Sequence, residues 1–301
     1  MADELRIVCW NIEHNGRGRH GGDDHRELAR DILAVLAPHL VLEVWNAQDN
    51  GNELADAAEA VLGTAGLIGP DCCTALYHDP DLFTPAGEFP KTGPMWVLPP
   101  TVRSRQLAGT VPGAAPLIAG SYHLNYGSPT TRLSEAEWLT QWNDRWVTAD
   151  GRRIHYPALL GGDTNSYPVP GTPGDPALPV LEEIPDEPYR AHGSYIGADG
   201  VRRMDDRPDD TLRTAGLQDV ARHLATTAGN TAAVAPTVDA YDTHGPDSRI
   251  DRIYASKELL PAVRTVEVID MTGLSDHHTV VVRLDRDTLT DILNHPLTRT
   301  A

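Results

Sequence analysis

Apolar residues recur along the chain at two spacings, and each predicts a different element. In LRIVCWNI (5–12) they alternate among strong β-formers, which predicts a strand. HLVLEVW (39–45), CTALYH (73–78), APLIAGSYHL (115–124), IHYPALLGGD (154–163), SRIDRIYAS (248–256) and HTVVVRL (278–284) read the same way. Spacings of three and four predict helices over 23–37, stopped by Pro38, over 52–63, ended by Gly63, and over 133–147. Ser134 with Glu137 three residues later fits a capping box for the last of these. A further helical pattern over 211–225 is interrupted by Gly216. Residues 84–114 and 166–210 are dense in Pro, Gly and Asp and predict long loops, which in a compact domain are usually functional or disordered. Helices separated by strands that cannot all be parallel predict an α/β (α+β) protein with mixed sheets. No repeat or low-complexity linker divides residues 1–301, so one domain is expected.

Composition agrees with a soluble globular enzyme or binding protein. Hydrophobic residues make up 40% and charged residues 23%, enough of each to bury a core and cover it. The start, MADELRIVCWNIEHN, has no basic and apolar leader pattern, and no apolar run approaches the roughly 20 residues of a membrane helix. A cytoplasmic protein without membrane contact is the expectation. Cys9, Cys72 and Cys73 have no C-x-x-C spacing for zinc or redox work and read as buried small hydrophobes. A formal charge of −18 argues against holding nucleic acid by long-range attraction alone. It is compatible with cleaving phosphate esters, because a divalent cation can supply positive charge.

The polar residues at the strand ends carry the chemistry. Asn11 ends the first strand, Glu43 lies near the end of the second, His123 ends the 115–124 strand, and Asp163 and Asn165 follow LLGG. Asp251 and the Asp276–His277 pair do the reverse and precede apolar runs. Antiparallel neighbours set the start of one strand beside the finish of the next, so both groups can gather on one rim. Asn11, Glu43 and Asp276 are hard oxygen donors suited to Mg²⁺ or Mn²⁺. Asp163 could take a proton from water oriented by Asn165, and an Asp251–His277 pair could hold an imidazolium near developing negative charge. His123 could bind phosphate or help protonate a leaving oxygen. Each residue alone has a plainer reading, since Asp is a turn former and a lone His is usually surface or satisfied core.

At these residues the sequence resembles the endonuclease/exonuclease/phosphatase superfamily of metal-dependent phosphoesterases, which includes DNase I-like nucleases. WNIEHNG, LVLEVW, SYHLN, GGDTNSY, RIDRIYAS and LSDHHTVVV resemble its motifs in their order, across residues 5–284. The resemblance implies a four-layer sandwich of two β-sheets flanked by helices, with Mg²⁺-dependent in-line attack of water on phosphorus. It implies metal ligation by Asn11, Glu43 and Asp276, and catalysis by His123, Asp163, Asn165, Asp251 and His277. One departure is local: Leu42 stands where the family often has Gln before the metal glutamate.

Around this set, Arg17 and Arg19 lie in a Gly- and His-rich stretch (13–28) beside Asn11, and Tyr126 and Arg132 follow His123. Arg190, His192, Tyr195, Arg202 and Arg203 fall in the 166–210 loop. Arg17, Tyr126 and Arg190 are the candidate substrate contacts, with Arg132 equally able to brace the following helix. His278, next to His277, is expected to point to the opposite strand face in a structural role. The substrate is either nucleic acid or a small phosphorylated molecule, with no obligate protein partner evident. A non-catalytic binding module or a phospholipid phosphodiesterase on the same scaffold are the alternatives.

Overall fold

The computed structural model of the chain describes residues 4–12, 16, 24–44, 51–69, 73–89, 96–241, 243 and 245–300. Strand β1 (Glu4–Asn11) is followed by α1 (Arg26–Leu36), β2 (Leu40–Val44), α2 (Gly51–Leu62), β3 (Ala65–Ile68) and β4 (Thr74–His78). Next come β5 (Phe83–Glu88), β6 (Thr101–Leu107), β7 (Leu117–His123), α3 (Pro129–Leu139), β8 (Trp146–Ala149), β9 (Arg152–His155) and β10 (Ala158–Asp163). The stretch beyond β10 holds α4 (Glu187–His192), β11 (Ser194–Ile196), β12 (Arg202–Met204), α5 (Arg207–Thr214), β13 (Leu217–Asp219) and α6 (Val220–Thr227). Then follow β14 (Asp251–Ser256), β15 (Val263–Ile269), β16 (Thr279–Asp285), α7 (Arg286–Asn294) and β17 (Thr298–Thr300).

Two six-stranded mixed sheets form the centre, in the orders β15-β16-β1-β2-β4-β3 and β13-β14-β10-β7-β6-β5. Each has one parallel pair, β1 with β2 and β7 with β10, flanked by antiparallel neighbours. The period-two pattern of β1 explains the layering. Leu5, Ile7 and Cys9 face the second sheet and pack with Leu42, Ala119, Leu159 and Ile253. Val8 and Trp10 face outward onto Ala29 and Leu33 of α1 and Ala58 of α2. The outer side of the second sheet is covered by Ala136 and Leu139 of α3 and Leu212 of α5. The result is the four-layer sandwich expected from the motifs. Burying a Leu such as Leu33 or Leu159 contributes about 1.5–3 kcal/mol.

Several element boundaries differ from the sequence pattern. The third helix begins at Pro129, capped by Ser128, whose hydroxyl accepts from the Thr131 amide. Ser134 therefore lies inside the helix and builds no capping box, because Pro is better placed at a first helical position than Ser is mid-helix. The 211–225 pattern divides at Gly216 (φ 89°) into α5, β13 and α6. Residues 84–114 are not all loop: β5 and β6 form the edge of the second sheet, with an irregularity between Pro85 and Gly87. Pro is tolerated on such an edge and masks the strand in the sequence. Residues 166–210 hold α4, the β11–β12 hairpin and the first turn of α5. Cys9 is a buried free thiol, Cys73 is buried as well, and Cys72 lies outside the described residues. Among the described residues, no helix is long and apolar enough to cross a membrane.

Candidate active site

The ends of five strands meet at one rim. In the second sheet Asp163 is paired with His123 of β7 on one side and with Asp251 of β14 on the other. Asn11 ends β1 in the first sheet, and its Nδ2 donates to Asp163 Oδ2 at 3.1 Å across the gap between sheets. His277, two residues ahead of β16, is pinned by its backbone. Its amide donates to Ser275 Oγ at 3.0 Å, and its carbonyl accepts from Trp10 Nε1 at 3.1 Å. Ser275 Oγ in turn donates to the Asn11 carbonyl at 2.8 Å. The GGD turn is sterically required, because a Cβ on Gly162 would lie 1.8 Å from the Tyr122 carbonyl oxygen. Asn165 takes the left-handed conformation (φ 47°), one that Asn tolerates better than most side chains.

Asp163 Oδ2 is the hub of the cluster. His123 Nε2 stands 3.5 Å from it and His277 Nε2 3.8 Å from it, while Asp163 Oδ1 accepts from the Asn165 amide at 2.7 Å. Asn165 Nδ2 donates to the Leu124 carbonyl at 2.9 Å. His277 Nδ1 and Asp251 Oδ2 are 2.8 Å apart, and Asp276 Oδ1 is 3.8 Å from His277 Nε2. Burial opposes charge on His277, but the charge and hydrogen bond of Asp251, with Asp163 and Asp276, outweigh it and hold the imidazole at about 10. Burial also pushes the Asp251 carboxyl up, and His277 pulls it back. The pair therefore shares one proton on the His277–Asp251 axis. His123 goes the other way: burial lowers it, Asp163 only partly offsets this, and His277 lowers it further. One imidazole favours the cation and the other the neutral form.

The metal-ligand expectations divide. Asn11 and Asp276 join the rim, but Glu43 does not. It stands in register with Trp10 of β1 and Ala75 of β4, whose side chains pack on the outer, helix-covered face. Its charge acts on the Tyr77 phenol of that face: burial first, then Glu43, pushes that phenol far above its usual range. A one-residue change of strand parity separates the two faces. Asp163, Asp251 and His277 each offer an atom within 4.8 Å of one another, the one such group among the described residues. His277 Nδ1 is engaged by Asp251, and the hard oxygens of Asn11 and Asp276 suit a divalent cation better than an imidazole does.

The candidate substrate contacts also divide. Tyr126 is 68% exposed on the rim, with its ring edge-on to His192 at 6.1 Å. Arg190 donates through Nε and Nη2 to the Ile184 carbonyl and so braces its own loop. Arg17 lies outside the described residues. Arg132 is a brace, bound to Asp205 at 2.8 Å and to the carbonyls of Asn125, Tyr126 and His192. His278 faces away, its Nδ1 accepting from the Met271 amide and its Nε2 beside Asp239. Tyr189 of α4 was not legible as a site residue. Burial, followed by the charge of Asp163 and with a smaller effect of Asp276, raises its phenol to about 12. Only the density of function on long loops pointed to that segment.

No protein-family model matches the sequence, and neither does any curated protein. Solved structures match over almost the whole chain. The 3′ phosphatase NExo from Neisseria, bound to a product DNA hairpin, is 16% identical with a TM-score of 0.60, covering 93% of this chain and 99% of its own. An AP endonuclease from Archaeoglobus fulgidus is 16% identical, TM-score 0.59, with the same coverage. An endonuclease/exonuclease/phosphatase protein from Beutenbergia cavernae is 18% identical, TM-score 0.57, covering 94% of this chain and 71% of its own. The fold is that of the endonuclease/exonuclease/phosphatase superfamily. Two six-stranded sheets, each with a central parallel pair, account for the match at such low identity.

Proposed function

We propose that the chain is a divalent-metal-dependent phosphoesterase that hydrolyses a phosphate ester by in-line attack of water. The observation that supports this best is the convergence of Asn11, His123 and His277 on one buried oxygen of Asp163, with Asp251 bonded to His277 from behind. In this reading Asp163 accepts the proton of the attacking water, and the Asn165 side-chain oxygen orients that water. His277, kept cationic by Asp251, donates from Nε2 to a phosphoryl oxygen as negative charge grows there. Neutral His123 donates a hydrogen bond to the leaving oxygen. Tyr126 and Tyr189 border the substrate.

Mg²⁺ or Mn²⁺ would be held by Asn11 Oδ1 and Asp276. Asn11 Oδ1 is buried and accepts no hydrogen bond, which fits an amide oxygen directed at a cation. When bound, such an ion offsets the charge of the phosphate and polarises its oxygens. Substrate choice is the finer part of the proposal. The named neighbours include enzymes of DNA ends and abasic sites, which supports a nucleic-acid ester. The charge of −18 favours a compact phosphorylated molecule. A second reading, a non-catalytic binding module, is favoured by one observation: Glu43 lies on the outer face, away from the rim.

The test incubates the purified protein with Mg²⁺ or Mn²⁺ and plasmid, single-stranded oligonucleotide, or a panel of phosphate mono- and diesters. Asp163→Asn and His277→Ala are each expected to lower kcat by on the order of 10²–10⁴-fold while circular dichroism stays native. Full activity in either variant overturns its assigned role. Inactivity of the wild type on every ester supports the binding module.

A further inference from the structure

We infer that Arg249 acts on the Asp251–His277 pair from beneath, through one buried water that joins Arg249 Nη2 to Asp251 Oδ1. The inference rests on the reading of that pair as catalytic. Arg249 is 2% exposed and uses two of its three nitrogens: Nε donates to Asp175 Oδ1 and Nη1 to Asp219 Oδ2, both at 2.7 Å. Its Nη2 is buried with no partner. Asp251, 1% exposed, gives Oδ2 to His277 Nδ1 at 2.8 Å, and its Oδ1 is likewise buried with no partner. A cavity of about 10 Å³ lies against both residues, with Asp219 and Thr237 on its wall and apolar side chains such as Ala233, Ile253 and Val280 over most of the rest.

The wall is otherwise largely apolar, so the unpaired donor and acceptor are the polar atoms that can hold an ordered water there, and a buried donor and acceptor each require such a partner. The water accepts from Arg249 Nη2 and donates to Asp251 Oδ1. That second bond fixes the rotation of the Asp251 carboxyl, so that Oδ2 stays aimed at His277. Asp175 belongs to the 166–210 stretch that carries α4. Arg249 therefore links that stretch to the imidazole pair, and it is a positioning residue rather than a catalytic one.

Ala233 is buried on the cavity wall and carries no charge, so Ala233→Val fills the space without disturbing an ion pair. A crystal structure of the full chain should contain one water within hydrogen-bond distance of both atoms. In Ala233→Val, kcat should fall about tenfold with KM unchanged. The downfield proton resonance of His277 Nδ1–H should move with it. Arg249→Lys should lower kcat in the same sense; if it does not fold, Ala233→Val decides alone. No water density, an unchanged kcat in Ala233→Val, or an altered KM beside the kcat loss would overturn the inference. His277→Ala separates the two levels: an active His277→Ala defeats the catalytic reading. An inactive His277→Ala beside a fully active Ala233→Val defeats only the relay.

Discussion

His277 and His123 reach for the same Asp163 oxygen with opposite charge preferences, and that contrast has a measurable consequence. His277 is held at about 10, above the ordinary histidine value of 6.5. Its contribution to folding is therefore complete below pH 6.5 and is lost as pH rises through 10. Unfolding free energy of the wild type should fall across that window by on the order of a few kcal/mol more than that of His277→Gln, measured by urea titration at each pH. Parallel curves would show that the pair carries no shared proton. Glu43 gives a second prediction at this scale. Glu43→Gln, which keeps the side-chain shape on the outer face, should leave metal-dependent kcat/KM unchanged and change stability by no more than about 1 kcal/mol in denaturant unfolding. Loss of activity would restore Glu43 as a metal ligand. Asn11, Asp163, Asp251 and His277 could be singled out as candidates because each stands at the end of a run of β-formers. The facing of Glu43 was not legible, because LVLEV is apolar on both faces and its parity cannot be read without knowing which side meets the second sheet.

Among the elements, those buried on both faces were the readable ones, and those fixed by ion pairs were not. The central strands announce themselves by unbroken β-formers. The 166–210 stretch does not, because charged side chains pin it rather than an apolar stripe. Arg132 on α3 binds Asp205, Arg222 on α6 binds Asp209, and Arg249 binds Asp175 of the stretch as well as Asp219 of β13. In a sequence these are ordinary loop aspartates and arginines, and only three-dimensional pairing separates them from solvated charges. Arg132 is the strongest case, since it is fully buried and also holds the carbonyls of Asn125, Tyr126 and His192. Arg132→Met should cost about 3–5 kcal/mol by denaturant unfolding, nearer the lower figure because Arg207 still faces Asp205. Limited proteolysis should then cut first between β10 and α5. A variant with native stability and native protease resistance would show that the ion pair is not what holds the stretch in place.

For the molecule as a whole, the charge decides how it can meet an anionic substrate. With 25 basic and 43 acidic residues the net charge is −18, and the arginines beside the rim do not reverse it locally. Arg203 is paired with Asp199, Arg207 with Asp205, and Arg190 is turned onto a backbone carbonyl. A protein that attracts nucleic acid loses affinity as salt rises, because bound counterions are released. This one should do the reverse with a polyanion. Its field repels a long phosphate backbone, and screening with a Debye length of about 8 Å at physiological salt removes most of that repulsion. At fixed Mg²⁺, kcat/KM on an oligonucleotide should therefore rise with added NaCl, while kcat/KM on a small diester should stay nearly flat. The two slopes read the substrate class without knowledge of the natural ligand. A rate on oligonucleotide that falls steeply with salt would mean that a basic surface has assembled near the rim. The residues for it would then have to come from segments such as 17–23, where Arg17 and Arg19 lie.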